Sequence, residues 1–128
     1  MMPRRNIFIS HSRTNSKWAK RLAKELVSNG LHVWLDEDII KPGSSLQREI
    51  EKALRESDTI VALVDEDTAN SPNLFFEMGL AFAMGKRILP VILGEINTSK
   101  LPFDLKQLRF LNKPTLERVV TELVSQAK

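Results

Sequence analysis

Apolar and polar positions along the chain follow two periods. Residues 6–10 (NIFIS), 31–35 (LHVWL), 59–64 (TIVALV) and 87–93 (RILPVIL) are short, β-rich apolar runs. The segments between them repeat apolar residues every three or four positions, the period of a helix with one buried stripe. Trp18, Leu22 and Leu26 predict a helix over 14–29 that stops at Gly30. Leu46, Ile50 and Leu54 predict one over 45–56, opened by Ser44 and Gln47 as a capping box. Leu116, Val119, Val120 and Leu123 predict a last helix over 115–127, and residues 107–111 a fifth short strand. Pro90 removes a donor from the fourth strand and argues against a regular ladder there.

One helix breaks the amphipathic pattern. In residues 71–86 (SPNLFFEMGLAFAMGK), Ser71 suits the N-cap, Pro72 the first turn and Gly85 the position just past the end. The interior is apolar on all sides, which predicts a core position. Glu77 lies in its second turn and is the sole ionisable side chain between Asp67 and Lys86. A carboxylate in such surroundings needs a partner, a change of protonation, or a cleft to face. The first is a structural role; the last is where chemistry would be found.

Strands alternating with helices predict right-handed βαβ units. The expected fold is α/β, a three-layer flavodoxin-like arrangement with a five-stranded parallel sheet in the order 2-1-3-4-5 and helices on both faces, with residues 1–128 forming a single domain. Ligands in such sheets bind beyond the carboxyl ends of the strands, where the order reverses between strands 1 and 3. Residues 10–13, residues 36–43 and the start of the Glu77 helix converge there, which favours a functional reading of Glu77 over a paired structural one.

Composition narrows the chemistry. The absence of cysteine removes disulfides, thiolate zinc sites and a Cys nucleophile. No apolar run reaches membrane-spanning length and MMPRR does not open a signal peptide, so a cytoplasmic location without membrane contact is expected. The net charge of +3 owes much to Lys17, Lys20, Arg21 and Lys24 on one helix. Aromatics do not interleave them, so they read as a solvated face and nucleic acid is not an expected partner.

No Gly-x-Gly-x-x-Gly or phosphate-cradling Gly-rich loop follows the first strand, where the sequence is Ser10-His11-Ser12-Arg13. His11 and His32 are the two histidines, and neither stands at metal-ligand spacing from acidic residues, so no metal is expected. A receiver-type phosphoacceptor has support in Asp65 after the third strand and Lys113-Pro114 after the fifth. The acidic pair it needs after the first strand is replaced by His11-Ser12. A single glutamate among hydroxyls, amides and aromatics suits cleavage at an anomeric carbon whose leaving group needs no acid, such as the nicotinamide of NAD.

From Asn6 to Ala127 the chain resembles a TIR domain of the bacterial NAD-cleaving type. Ile7-Phe8-Ile9-Ser10 followed by His11 resembles the family's first-strand motif. Val33-Trp34-Leu35-Asp36 through Ile40-Lys41-Pro42-Gly43-Ser44-Ser45-Leu46 resembles its second strand and BB loop, and Ser57-Asp58-Thr59-Ile60-Val61 the approach to its third strand. The segment from Ser71 to Glu77 resembles the one carrying the catalytic glutamate of TIR NAD hydrolases and cyclases. Asn73 stands where many members have Trp, and Glu77-Met78-Gly79-Leu80-Ala81 also resembles the nucleoside 2-deoxyribosyltransferases.

The resemblance implies an NAD+ nucleosidase that releases nicotinamide and ADP-ribose or a cyclic isomer, with NAD+ as substrate and no other cofactor. Anti-phage immunity or virulence would be its setting, and a contact-only adaptor or a deoxyribosyltransferase-like N-glycosidase are the alternatives. Glu77 would be the catalytic residue, binding ribose hydroxyls and stabilising the cation at C1′. Trp34 or Phe75 would stack on a base or else pack the core. Arg13 or Lys41 would meet phosphates or be solvated, and His11 would contact adenine or phosphate or be structural. Ser12 would bond ligand or cap the first helix, while Asp36 and Asp38 would touch substrate or hold their loop, and Asn73 completes the binding set. Residues 36–43 would mediate self-association, with Ile39, Ile40, Pro42 and Gly43 as contacts.

Overall fold

A computed structural model describes residues 5–35, 46–66, 72–96 and 109–125, without the side chains of residues 46, 47 and 72–75. The strands are β1 (Asn6–Ser10), β2 (His32–Leu35), β3 (Thr59–Val64), β4 (Arg87–Ile92) and β5 (Leu111–Asn112). They form one five-stranded sheet in the order β2-β1-β3-β4-β5, with every pairing parallel. The helices are α1 (Ser16–Ser28), α2 (Leu46–Glu56), α3 (Pro72–Ala83) and α4 (Leu116–Ser125). The expected α/β class and strand order hold.

Alternation of side chains along the strands divides the core in two. Phe8, Ile60, Ala62, Val64, Ile88 and Ile92 point to the face covered by α2 and α3, through Ile50, Leu54, Met78 and Ala81. Ile7, Ile9, Val61, Leu63, Leu89 and Val91 point to the other face, covered by α1 and α4 through Ala19, Leu22, Leu26, Leu116, Val119 and Leu123. All six residues of β3 are buried, as a central parallel strand requires.

Two helices end in the same device. After α1, the Gly30 N–H donates to Val27 and Leu31 N–H to Leu26; after α3, Gly85 N–H donates to Phe82 and Lys86 N–H to Ala81. Gly30 (φ +86°) and Gly85 (φ +68°) supply the left-handed residue that this closure needs. At this same edge, where the strands begin, Arg5 joins distant parts of the chain, donating to Thr59 Oγ1 at 3.0 Å and to the Leu123 carbonyl near the end of α4. Lys17, Lys20, Arg21 and Lys24 are all exposed, as a solvated face predicts.

Several boundaries differ from expectation. Residues 13–15 form a 3-10 turn before α1, because the Asn15 N–H closes on the Ser12 carbonyl at 3.2 Å while both side chains are drawn to Asp65. The fifth strand begins at Leu111 instead of 107, with Arg109 and Phe110 outside it. Pro90 gives the reason. Leu93 N–H donates to β3, and Ile92 accepts from Lys113 on the β5 side, so alternation turns Pro90 toward β5. Its missing N–H costs nothing against β3, where all six pairs form, but denies β5 a bond before Leu111.

The Glu77 helix is less enclosed than its composition predicts, since Gly79, Phe82 and Ala83 are exposed on its outer side. The α2 helix starts at Leu46, and the expected Ser44–Gln47 box lies outside the described residues, as do Ser71 and residues 126 and 127. Thr115 caps α4 by accepting from Arg118 N–H at 3.1 Å. Among the described residues no helix is long and apolar enough to cross a membrane, and no group of His, Asp or Glu could hold a metal ion.

Candidate active site

The carboxyl edge of β1 and β3 carries two buried carboxylates on opposite sides of the sheet. Glu77, 2% exposed, comes from the second turn of α3. Ser10, which closes β1, shares the face of Phe8 and is itself buried. Its hydroxyl donates to Glu77 Oε1 at 2.6 Å, across 67 residues of sequence. The residue paired with Ser10 on β3 is Ala62, whose methyl group leaves room on that face for the glutamate to reach the strand. The bond offsets part of the cost of taking a carboxylate out of water.

Asp65 follows β3 directly and, by alternation, turns to the face of Val61 and Leu63. It is 8% exposed. Ser12 Oγ donates to its Oδ2 at 2.6 Å, and the Asn15 side-chain amide donates to the same oxygen. The carboxylate thus staples the turn after β1 to the end of β3. A pocket of about 320 Å³ opens beside it, lined by Thr14, Asn15, Asp65, Glu66, Leu93 and Ile96 among others. That pocket lies over Asp65, not over Glu77.

Of the other expected site residues, those that the structure describes lie on the turn after β1 and on β2. His11 is half-buried between them, and its Nδ1 lies 2.7 Å from the Ser12 carbonyl; a carbonyl accepts only, so Nδ1 carries the proton and donates. Ser12 spends its hydroxyl on Asp65 and makes no side-chain cap to the helix that follows. Arg13 is exposed at the start of the 3-10 turn. Trp34 stands opposite Phe8 in the β1–β2 register, and so on the same face as Ser10 and Glu77. It is half-buried and edge-on to His32 at 5.1 Å, with an indole nitrogen that is buried and has no hydrogen-bond partner among the described residues.

Asn73 lies in the first turn of α3, one turn before Glu77; its side chain and that of Phe75 are outside the described residues. Asp36, Asp38, Ile39, Ile40, Lys41, Pro42 and Gly43 also lie outside them. Sequence reasoning did not single out Ser10 as a site residue. The available signal was its place at the end of an apolar strand, an even number of residues from Phe8.

Chemically, the arrangement offers one carboxylate on a largely apolar helix, fixed by a neutral donor, at the edge where open parallel sheets bind ligands. Such a group can bind a sugar diol or stabilise a cation. The chain is 29% identical over 129 residues to the probable 2′ cyclic ADP-D-ribose synthase TcpO of Methanobrevibacter olleyae, covering 94% of this chain and 38% of that protein. Its fold is similar to the TIR domain of the Toll-related receptor TRR-2 from Hydra magnipapillata (TM-score 0.76, 14% identity, 93% of this chain and 97% of that one). It is similar also to a 2-desoxiribosyltransferase from Leishmania mexicana (TM-score 0.71, 15% identity, 94% of this chain and 97% of that one). The TIR domain family model matches residues 7–121, nearly the whole chain, and the chain therefore belongs to the TIR domain family.

Proposed function

We propose that this TIR domain cleaves NAD+ at the bond between nicotinamide and ribose, with Glu77 as the catalytic carboxylate. The observation that carries the reading is Glu77 itself: 2% exposed on an apolar helix, yet held at the carboxyl edge of the sheet by the Ser10 hydroxyl. The similarity to a protein named as a cyclic ADP-ribose synthase supports the same chemistry, although the chain spans 38% of that protein's length.

In this reading the C1′–N bond breaks heterolytically. Its electron pair passes to the ring nitrogen, whose positive charge it cancels, so nicotinamide departs without a proton. Glu77 stabilises the oxocarbenium-like carbon that remains, through charge and through the ribose hydroxyls. Water adding at C1′ gives ADP-ribose and a proton; an internal nucleophile of the same ADP-ribosyl unit gives a cyclic isomer. NAD+ is the substrate, and no further cofactor takes part. Trp34, on the same sheet face, is the aromatic surface for a base, and His11 and Arg13 on the turn after β1 are the groups nearest in sequence to receive the rest of the nucleotide. Lys41, Asp38 and Asn73 complete the binding set, and self-association through Ile39, Ile40, Pro42 and Gly43 assembles the active form, in an immune or virulence role inside the cell.

Incubating concentrated protein with NAD+ and separating nicotinamide, ADP-ribose and cyclic isomers tests the reading, with Glu77→Ala alongside. Nicotinamide release that vanishes in the variant supports it. Release that persists in the variant overturns the role of Glu77, and cleavage of deoxynucleosides in preference to NAD+ would move the chain to the N-glycosidase reading.

A further inference from the structure

The bond between Ser10 and Glu77 has a consequence for turnover. Four features coincide there. Both residues are buried, at 5% and 2% exposure, so water competes poorly for the carboxylate. The separation is 2.6 Å, as expected of a charge-assisted bond from a hydroxyl to a carboxylate. Ser10 is the last residue of β1 and is fixed by backbone pairing on both sides, through Ile9 to Leu35 of β2 and through its own register with Ala62 of β3. Lastly, Glu77 projects from a different element, so its position relative to the sheet depends on contacts across that gap. The geometry points to Ser10 as the positioning residue of the catalytic carboxylate: it anchors Glu77 to the rigid end of β1.

This inference rests on the NAD-cleaving reading. A flexible glutamate has several rotamers, and a carboxylate even about 1 Å from its working position loses much of its effect on the transition state. A serine hydroxyl is suited to the task because it donates without adding charge. It leaves the carboxylate its negative charge for the cation that develops at C1′, where a lysine or arginine at the same place would offset it.

The test compares Ser10→Ala and Ser10→Thr with the parent in nicotinamide release, and adds Ser57→Ala as a control. Ser57 is equally buried but donates to the Ala53 carbonyl at the far end of α2, away from the site. Ser10→Ala is expected to lower kcat by about tenfold or more while KM changes by less than about threefold, because the loss falls on the chemical step. Ser10→Thr, which keeps a hydroxyl, is expected to recover most of that loss, and Ser57→Ala to keep the parental kcat.

A second measurement reads the contact without turnover. Melting of Ser10→Ala, Glu77→Ala and the double variant should be non-additive, since each single variant leaves the other member of this bond without its partner. Parental kcat in Ser10→Ala, or a double variant that melts as the simple sum of the singles, overturns the inference. Nicotinamide release surviving in Glu77→Ala overturns the proposed function instead, so the two failures are distinguishable.

Discussion

Glu77 and Asp65 are both buried carboxylates at the same edge of one sheet, each meeting a serine hydroxyl at 2.6 Å, yet their settings differ. Asp65 hangs from the end of a strand and draws two donors, Ser12 and Asn15, from one turn of chain. Its bonds define that turn: they bring the 3-10 segment against β3 and hold it there. Glu77 meets its serine across the gap between a helix and a strand and shapes no turn. Met78 and Ala81 beside it already pack α3 onto the sheet. A buried carboxylate is costly, and at Asp65 the cost is offset by organising the chain. Glu77 organises no comparable turn, and Met78 and Ala81 supply apolar contact for its helix, which is consistent with the proposed catalytic role.

The contrast can be broken most sharply by replacing each carboxylate in turn. Glu77→Ala is expected to reduce nicotinamide release by about a thousandfold or more while the domain still folds, because relief of a desolvated charge offsets the acceptor that the Ser10 hydroxyl loses. Unfolding of Glu77→Ala would make it a second Asp65. Asp65→Ala is expected to cost about 1–3 kcal/mol in urea unfolding, because the Ser12 hydroxyl and the Asn15 amide lose their acceptor in a part-buried site. A stable Asp65→Ala that has lost all turnover would reverse the two roles.

A smaller effect is expected at Trp34, which shares a sheet face with Glu77. Trp34→Phe should raise the KM for NAD+ severalfold, by about 1 kcal/mol of stacking, and leave kcat near the parental value. A kcat that falls with KM unchanged would place the indole at the chemical step. The smallest effect belongs to the far side of the molecule: Lys17→Gln and Lys24→Gln on the exposed face of α1 are expected to change unfolding free energy by less than about 0.5 kcal/mol. Larger losses would show that this face is not simply solvated.

Much of this was legible from local pattern. The apolar runs located four strands to within a residue, and Gly30 and Gly85 marked two helix ends because their closure demands a left-handed residue. Pro90 was read as a disturbance of β4, whereas its effect falls on the neighbouring strand, and no local pattern could reveal which side its missing donor faces. The 3-10 turn after β1 escaped for a similar reason: it answers to Asp65, 50 residues beyond Asn15.

The sequence by itself determined the α/β alternation and the oddity of a glutamate in an apolar helix, since both follow from the period of apolar residues, while the handedness of parallel crossovers narrowed the sheet order without fixing it. Tertiary structure alone decided which hydroxyl serves which carboxylate. Ser10 and Ser12 are two residues apart, yet they serve opposite sides of the sheet. Ser10 is still in the strand and obeys its alternation, and Ser12 has left it and follows the turn. That division depends on where β1 stops pairing and on which face each returning helix covers, and both are set by contacts between residues far apart in the chain.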